Sequence, residues 1–237
     1  MVRYQAVLFD LDGTLLPMDN DAFTKGYFKY LVKVLAPYGY EPESLIDAVW
    51  KGTASMVKNN GLRTNEEAFW ETFGDIMGKK ALEDRPLFDE FYRTEFNKAK
   101  ELCGYSQTAV DLVHRLQEEG VYVGLATNPI FPRVATENRI GWAGFTPEDF
   151  KFYTTYETIG YCKPNPEYYR ELLRRMGFDA SDCLMVGNDV DEDMVAKTLG
   201  MDTFLITPHL INRHDADINS WPHGDFTDCT RYIFGEE

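Results

Sequence analysis

The sequence predicts an α/β fold: a doubly wound parallel sheet with an α-helical insertion straight after its first strand. Three observations support that class. Short apolar runs rich in Val, Leu, Ile and Phe recur at 6–9, 121–126, 152–155, 183–186 and 203–206, the pattern of strands buried on both faces. Helical periodicity fills the gaps between the later runs, as a parallel sheet with crossover helices requires. From about residue 18 to about residue 103 the chain shows helical patterns and no convincing strand.

The first run, Ala6 to Phe9, ends in Asp10-Leu11-Asp12-Gly13-Thr14. Helical stretches at 21–36, 43–58, 65–77 and 86–102 follow, and the chain crosses in and out of them at 16–19 and 102–106, where Pro17 and Gly104 suit a hinge. The expected organisation is therefore a core of 1–17 and 106–237 and a helical cap of 18–105. Within the core, 108–119 places Ala109, Leu112, Val113 and Leu116 at helical spacing and stops at Gly120. Pro166 opens a helix over 166–176 that sets Tyr169, Leu172, Leu173 and Met176 on one face and ends at Gly177. A third helix, 192–199, turns Met194, Val195 and Leu199 inward before Gly200. Residues 208–224, rich in Asn, Asp, His and Pro, read as irregular surface chain, and 227–234 as a short helix.

The chain has 237 residues, 44% hydrophobic and 14% aromatic, enough for a sizeable core. Its 24 Lys and Arg face 39 Asp and Glu, a formal charge of −15 that repels nucleic-acid backbones. The same field repels a phosphorylated metabolite unless a metal ion and a few local cations reverse the sign inside the site. Cys103, Cys162, Cys183 and Cys229 are scattered, with no Cys-x-x-Cys pair, and read as reduced thiols. The first strand begins too early to leave room for a signal peptide, and no apolar run approaches a membrane span. A cytoplasmic protein, monomer or homodimer, without nucleic-acid or membrane partner is expected. His114, His209, His214 and His223 show no ligand spacing.

Four strand ends carry chemistry. Alternate residues of a strand share a face, so Asp10 and Asp12 can point into one small volume, where they share a proton or bind a hard cation such as Mg²⁺. Gly13 and Thr14 allow a sharp turn and offer N–H groups and a hydroxyl to an anion. Thr127 and the backbone N–H of Asn128, closing the run 121–126, can donate to a phosphoryl oxygen, although Thr-Asn-Pro is also ordinary turn chemistry. Lys163, between Cys162 and Pro164, is a point charge on a stiffened segment, or else a solvated lysine. In Gly187-Asn188-Asp189-Val190-Asp191-Glu192-Asp193, first-turn acidity is partly a matter of the helix dipole, and Asp191 and Glu192 need do nothing more. Asp189 and Asp193 stand one turn apart, so one can reach a metal while the other supports it or holds the lysine. All four sites lie at carboxyl ends of strands, where open parallel sheets bind ligands.

With these motifs in this order, the sequence resembles the haloacid dehalogenase-like (HAD) superfamily, and in particular its phosphatase branch with a helical cap. The resemblance runs from Gln5 to about Ile206 and implies a Rossmann-like core. It implies Mg²⁺-dependent hydrolysis of a small phosphorylated metabolite through an aspartyl-phosphate on Asp10. Asp12 would act as acid and base and bind Mg²⁺ through its backbone carbonyl. Thr127, Asn128 and Lys163 would hold the phosphoryl group, and Asp10, Asp12 and Asp189 the metal, with Asn188 and Asp193 in support. Members that cleave carbon–halogen bonds lack an acid two residues after the nucleophile, so Asp12 favours phosphoryl transfer. One departure stands out: the usual fourth motif has aspartate directly after glycine, whereas here Asn188 takes that place. Asp189 is the expected ligand, since a hard dication gains more from a carboxylate. A phosphomutase using the same Asp10, or a non-catalytic module on the same fold, are the alternatives. Phe23, Tyr27, Phe28, Trp50, Phe69, Trp70 and Phe73 either line a pocket or, more commonly at such spacing, form core. Arg63 or Lys58 are candidates to meet an anion from the cap.

Overall fold

The computed structural model describes residues 2–236. Strands β1 (Ala6–Phe9), β2 (Tyr122–Leu125), β3 (Cys183–Gly187), β4 (Asp202–Ile206) and β5 (His223–Gly224) form one parallel sheet in the order β2-β1-β3-β4-β5. Every residue of β1 is fully buried, as expected of a central strand covered on both faces. Period-two geometry sends Val7 and Phe9 to one face and Ala6 and Leu8 to the other.

Between β1 and β2 the insertion supplies α1 (Asn20–Leu35), α2 (Pro42–Val57), α3 (Asn65–Met77), α4 (Lys79–Glu83) and α5 (Arg85–Arg93). Local chemistry explains their starts. Asp19 accepts from the Ala22 N–H at 2.8 Å, and Thr64 with Glu67 forms a reciprocal capping box on α3. The two crossings meet, since the Gly104 N–H donates to the Pro17 carbonyl at 2.6 Å and Met18 bridges Cys103. The core helices are α6 (Gln107–Glu118), α7 (Arg133–Trp142), α8 (Pro166–Met176) and α9 (Phe226–Phe234). Tyr168, Tyr169 and Leu172 of α8 pack with Ala6 and Leu8, whereas Leu112 and Val113 of α6 and Ile233 of α9 join the cluster of Val7 and Phe9. Helices thus cover both faces.

Several elements differ from expectation. The run 152–155 is not a strand: the Leu125 N–H donates to the Phe152 carbonyl and the Thr154 N–H to the Leu125 carbonyl, which leaves a single bridge beside β2. The expected helix 86–102 breaks at Thr94, where φ is −119° and ψ −86°, and continues as 3₁₀ turns over Glu95–Leu102. Residues 192–199 contain only the 3₁₀ segment Met194–Leu199. Strand β5 lies inside the stretch expected to be irregular, and α4 and α7 carry no strong amphipathic pattern in sequence.

Register sets the functional edge. Phe9 pairs with Leu125 on one side and Val186 on the other, so the carboxyl ends of β1, β2 and β3 finish level. The Asp10 N–H donates to the Val186 carbonyl, and the Ala126 N–H to the Phe9 carbonyl. Asp10, Thr127 and Asn188 emerge together as a consequence.

Candidate active site

Asp10 is buried and held from two sides. Lys163 Nζ donates to its Oδ1 at 2.8 Å, and the Thr14 hydroxyl donates to its Oδ2 at 3.1 Å. The same hydroxyl stands 3.0 Å from Asn188 Oδ1. Thr14 reaches back because Gly13 turns the chain at φ +84°, and a Cβ there would sit 2.3 Å from Asn188 Nδ2. Only glycine combines that conformation with that approach.

Lys163 is buried and also donates to Asp193 Oδ1 at 2.6 Å. Burial works to lower its pKa, but Asp10 and Asp193 outweigh it and hold the ammonium charged well above the usual range. Burial pushes Asp193 up to about 8 and Glu192 up to about 7, while Lys163 pulls both back. The lysine is thus the shared counter-charge of an acidic cluster.

Asp12 has different company. Arg139, fully buried on α7, forms an ion pair with its Oδ2 and lies over the Phe131 ring at 4.3 Å. Asp12 Oδ1 is buried and has no hydrogen-bond partner. Burial raises the Asp12 pKa and Arg139 opposes the shift. Nothing in the sequence singles out Arg139, since α7 is only weakly amphipathic and begins behind Pro132.

The fourth strand end separates its two candidates. Asp189 Oδ1 accepts from the N–H groups of Asp191 and Glu192 at 2.9 and 3.0 Å, and its Oδ2 accepts from Arg213 at 2.6 Å. Both oxygens are therefore engaged in stabilising the turn. Asn188 Nδ2 donates to the His209 carbonyl at 2.6 Å, which turns Oδ1 toward Thr14 and Asp10. Asp193 holds the lysine with one oxygen and accepts from the Asp189 N–H with the other. Asn128 donates to Glu192 at 2.9 Å and accepts from the Lys163 N–H at 3.2 Å, so Glu192 is tied into the site as well as the turn that Asp189 holds. Arg213 comes from the stretch expected to be plain surface chain.

These groups open onto a cavity of about 340 Å³ lined by Asp10, Asp12, Thr127, Asn128, Asn188 and Asp189 at its floor. Of the seven cap aromatics expected at a pocket or core, six line it and Phe73 is core, and Phe88 and Tyr92 line it as well. Arg63 pairs with Glu71, and neither it nor Lys58 lines the cavity, so the expected cap cation is absent from the described lining.

The donor set fits a hard divalent cation. Asp10, Asp12, Asp189, Glu192 and Asp193 outnumber Lys163, Arg139 and Arg213, and the Thr14 hydroxyl brings Asp10 Oδ2 and Asn188 Oδ1 within 3.1 Å of one oxygen. Among the described residues no three His, Cys, Asp or Glu side chains gather as a metal cluster. A cation here would rest on fewer carboxylates plus neutral oxygens and water, the habit of Mg²⁺.

Comparison with known proteins agrees with the fold. The profile of the haloacid dehalogenase-like hydrolases matches residues 4–198, and the chain belongs to that family. It is 24% identical to Pyrophosphatase PpaX of Bacillus velezensis, over 85% of this chain and 82% of that protein. The magnesium-bound HAD-hydrolase YfnB of Bacillus subtilis superposes with a TM-score of 0.59 at 21% identity, covering 98% of this chain and 99% of that one. The 2-haloacid dehalogenase of Pseudomonas syringae gives a TM-score of 0.62 at 20% identity, covering 98% of each. The shared fold thus does not choose between substrates. Among the described residues no helix is long and apolar enough to cross a membrane, and the four cysteines are unpaired.

Proposed function

We propose that the chain is a phosphatase that hydrolyses monoesters of small phosphorylated metabolites, with Asp10 as nucleophile. The observation that carries this reading is the division between two neighbouring carboxylates. Asp10 is fixed by Lys163 and Thr14, whereas Asp12, which lines the same cavity, is fixed through Oδ2 by Arg139 and keeps a buried Oδ1 without a partner. A carbon–halogen bond gives up a halide, which needs no proton; an ester oxygen does. A second acid in this position therefore supports phosphoryl transfer.

In the proposed reaction an Asp10 oxygen attacks phosphorus, the ester P–O bond breaks, and the leaving oxygen takes its proton from Asp12. Asp12 then removes a proton from water, the water oxygen attacks phosphorus, and the acyl P–O bond breaks to restore the Asp10 carboxylate. Thr127 and Asn128 orient the phosphoryl group, and Lys163 balances its charge. Asp10, the main-chain carbonyl of Asp12 and Asn188, with Asp189 bracing the turn, would hold Mg²⁺, which when bound adds neutralisation between carboxylate and phosphoryl oxygens. Preferring Asn188 to Asp189 reverses the sequence expectation, because both Asp189 oxygens are already engaged. Residues 18–105 would act as a cap that closes over the core of 1–17 and 106–237 and excludes water. The unpaired thiols support a reducing, cytoplasmic setting.

Release of inorganic phosphate from a panel of phosphorylated sugars, nucleotides and small acids, with Mg²⁺ and with chelator, tests the reading. Metal-dependent release from some members, abolished in Asp10→Asn, is expected. Release by Asp10→Asn at the wild-type rate, or none from any compound, would contradict it.

A further inference from the structure

The cavity above Asp10 carries information about the body of the substrate. Its walls in the insertion include the rings of Phe23, Tyr27, Phe28, Trp50, Phe69 and Trp70. Those walls are preorganised: Phe28 and Trp50 stand 5.4 Å apart, Phe69 and Trp70 5.4 Å, and Tyr27 meets Phe131 of the core at 5.7 Å. Native interiors leave few voids larger than a water molecule, so about 340 Å³ bounded by rings is space kept for an occupant. Trp50 lines that space yet remains 51% exposed, an unusual placement for a large apolar ring.

Charge narrows the class. Among the described lining residues, those of the insertion include no Lys and no Arg. Arg85 lies outside the lining, stacked on Trp70 at 4.5 Å and paired with Glu66, and Arg213 at the floor is committed to Asp189. A second phosphate or a carboxylate on the substrate would enter an apolar, carboxylate-bearing space without a partner, which is strongly unfavourable. A flat, uncharged ring finds faces to stack on. Asp21 and Thr24, on the first turns of α1, also line the cavity and can accept from ring N–H or sugar hydroxyl groups.

We infer that the substrate is a monophosphate whose body carries an uncharged aromatic or heteroaromatic ring, of the nucleoside or flavin kind, rather than a bisphosphate, a diphosphate or a phosphorylated acid. The inference rests on the phosphatase reading for its chemistry, but the ring site can be tested apart from turnover. Nucleoside 5′-monophosphates and ribose 5-phosphate share one leaving oxygen, so their comparison isolates the ring. The expected kcat/KM ratio favours the ring-bearing esters, flavin mononucleotide included, over ribose 5-phosphate by about tenfold or more, with fructose 1,6-bisphosphate poorest. Trp50→Ala narrows the ratio and Trp50→Phe largely restores it. Calorimetric titration of the Asp10→Asn protein with the same compounds reproduces the ranking. Preference for the bisphosphate or for ribose 5-phosphate, or a ratio unmoved by Trp50→Ala, would overturn the ring site while leaving the hydrolase intact. If no compound is hydrolysed the chemistry fails, and the titration alone then decides the ligand class: ring-bearing compounds binding best supports the site, and equal or no binding overturns it.

Discussion

Arg139 shows how much of the site depends on one side chain that touches neither Asp10 nor Lys163. Its guanidinium holds Asp12 Oδ2, and its own orientation is fixed by the Ala135 carbonyl, the Thr136 hydroxyl and the Phe131 ring. If Asp12 delivers the proton to the leaving oxygen, Arg139→Ala leaves that carboxyl unaimed. The expected loss is about 10²-fold in kcat for alkyl phosphates, and much less for p-nitrophenyl phosphate, whose leaving oxygen needs little proton donation. Arg139→Lys recovers part of the difference, and circular dichroism separates this from misfolding. Equal losses on both substrate types would make Arg139 merely structural. At Asn188 and Asp189 the discriminating measurement is the Mg²⁺ concentration for half-maximal activity. It rises more for Asn188→Ala than for Asp189→Ala, and the opposite order would return the ligand role to Asp189. Asp10, Asp12 and Thr127 were legible in sequence as candidates because they follow apolar runs, and Lys163 because prolines stiffen the segment around it. Arg139 and Arg213 were not, because a buried arginine on a weak helix and one in a polar surface stretch look like any other arginine until the chain is folded.

At the scale of elements, α3 is joined to the segment that delivers Lys163. Asn65 at its first turn is fully buried and donates to the Pro129 and Tyr161 carbonyls at 3.1 and 3.3 Å, while Asn59 donates to its Oδ1 at 2.9 Å. Alongside, the Gly61 N–H donates to the Gly160 carbonyl and the Asn65 N–H to the Ile159 carbonyl, both at 2.9 Å. Gly160 permits this approach, since a Cβ there would lie 2.3 Å from the Arg63 carbonyl oxygen. Asn65→Ala leaves buried polar groups unpaired and is expected to cost about 1–3 kcal/mol, read as a lower denaturation midpoint, with a fall in activity as the Lys163 segment loosens. An unchanged midpoint would contradict this role. The strong periodic helices were readable from spacing alone. The run 152–155 was not separable from a strand, because apolar composition fixes burial but not the partner that would complete a ladder. The break at Thr94, where the hydroxyl turns back to the Glu90 carbonyl, has no compositional mark.

For the whole molecule, the balance of charge decides how substrate arrives. A formal charge of −15 repels a phosphate dianion at long range, although Lys163, and the Mg²⁺ of the proposed reaction when bound, would offset it locally. Raising NaCl from low ionic strength, with Mg²⁺ saturating, is therefore expected to increase kcat/KM severalfold as the screening length shrinks toward ~10 Å. A monotonic decrease would mean that local cations, not the net field, govern encounter. The fold class followed from alternating strand and helix patterns, and the insertion from their interruption. What the insertion builds, an aromatic chamber without cations, required the tertiary structure, because a ring at helical spacing faces core or cavity with the same sequence pattern. The central claim, that Asp10 becomes phosphorylated, is tested most directly by borohydride reduction during turnover followed by peptide mass spectrometry. An acyl-phosphate at Asp10 is reduced to homoserine at position 10, in wild type and only with substrate present; continued phosphate release with residue 10 unmodified, or reduction at another carboxylate, would contradict the account.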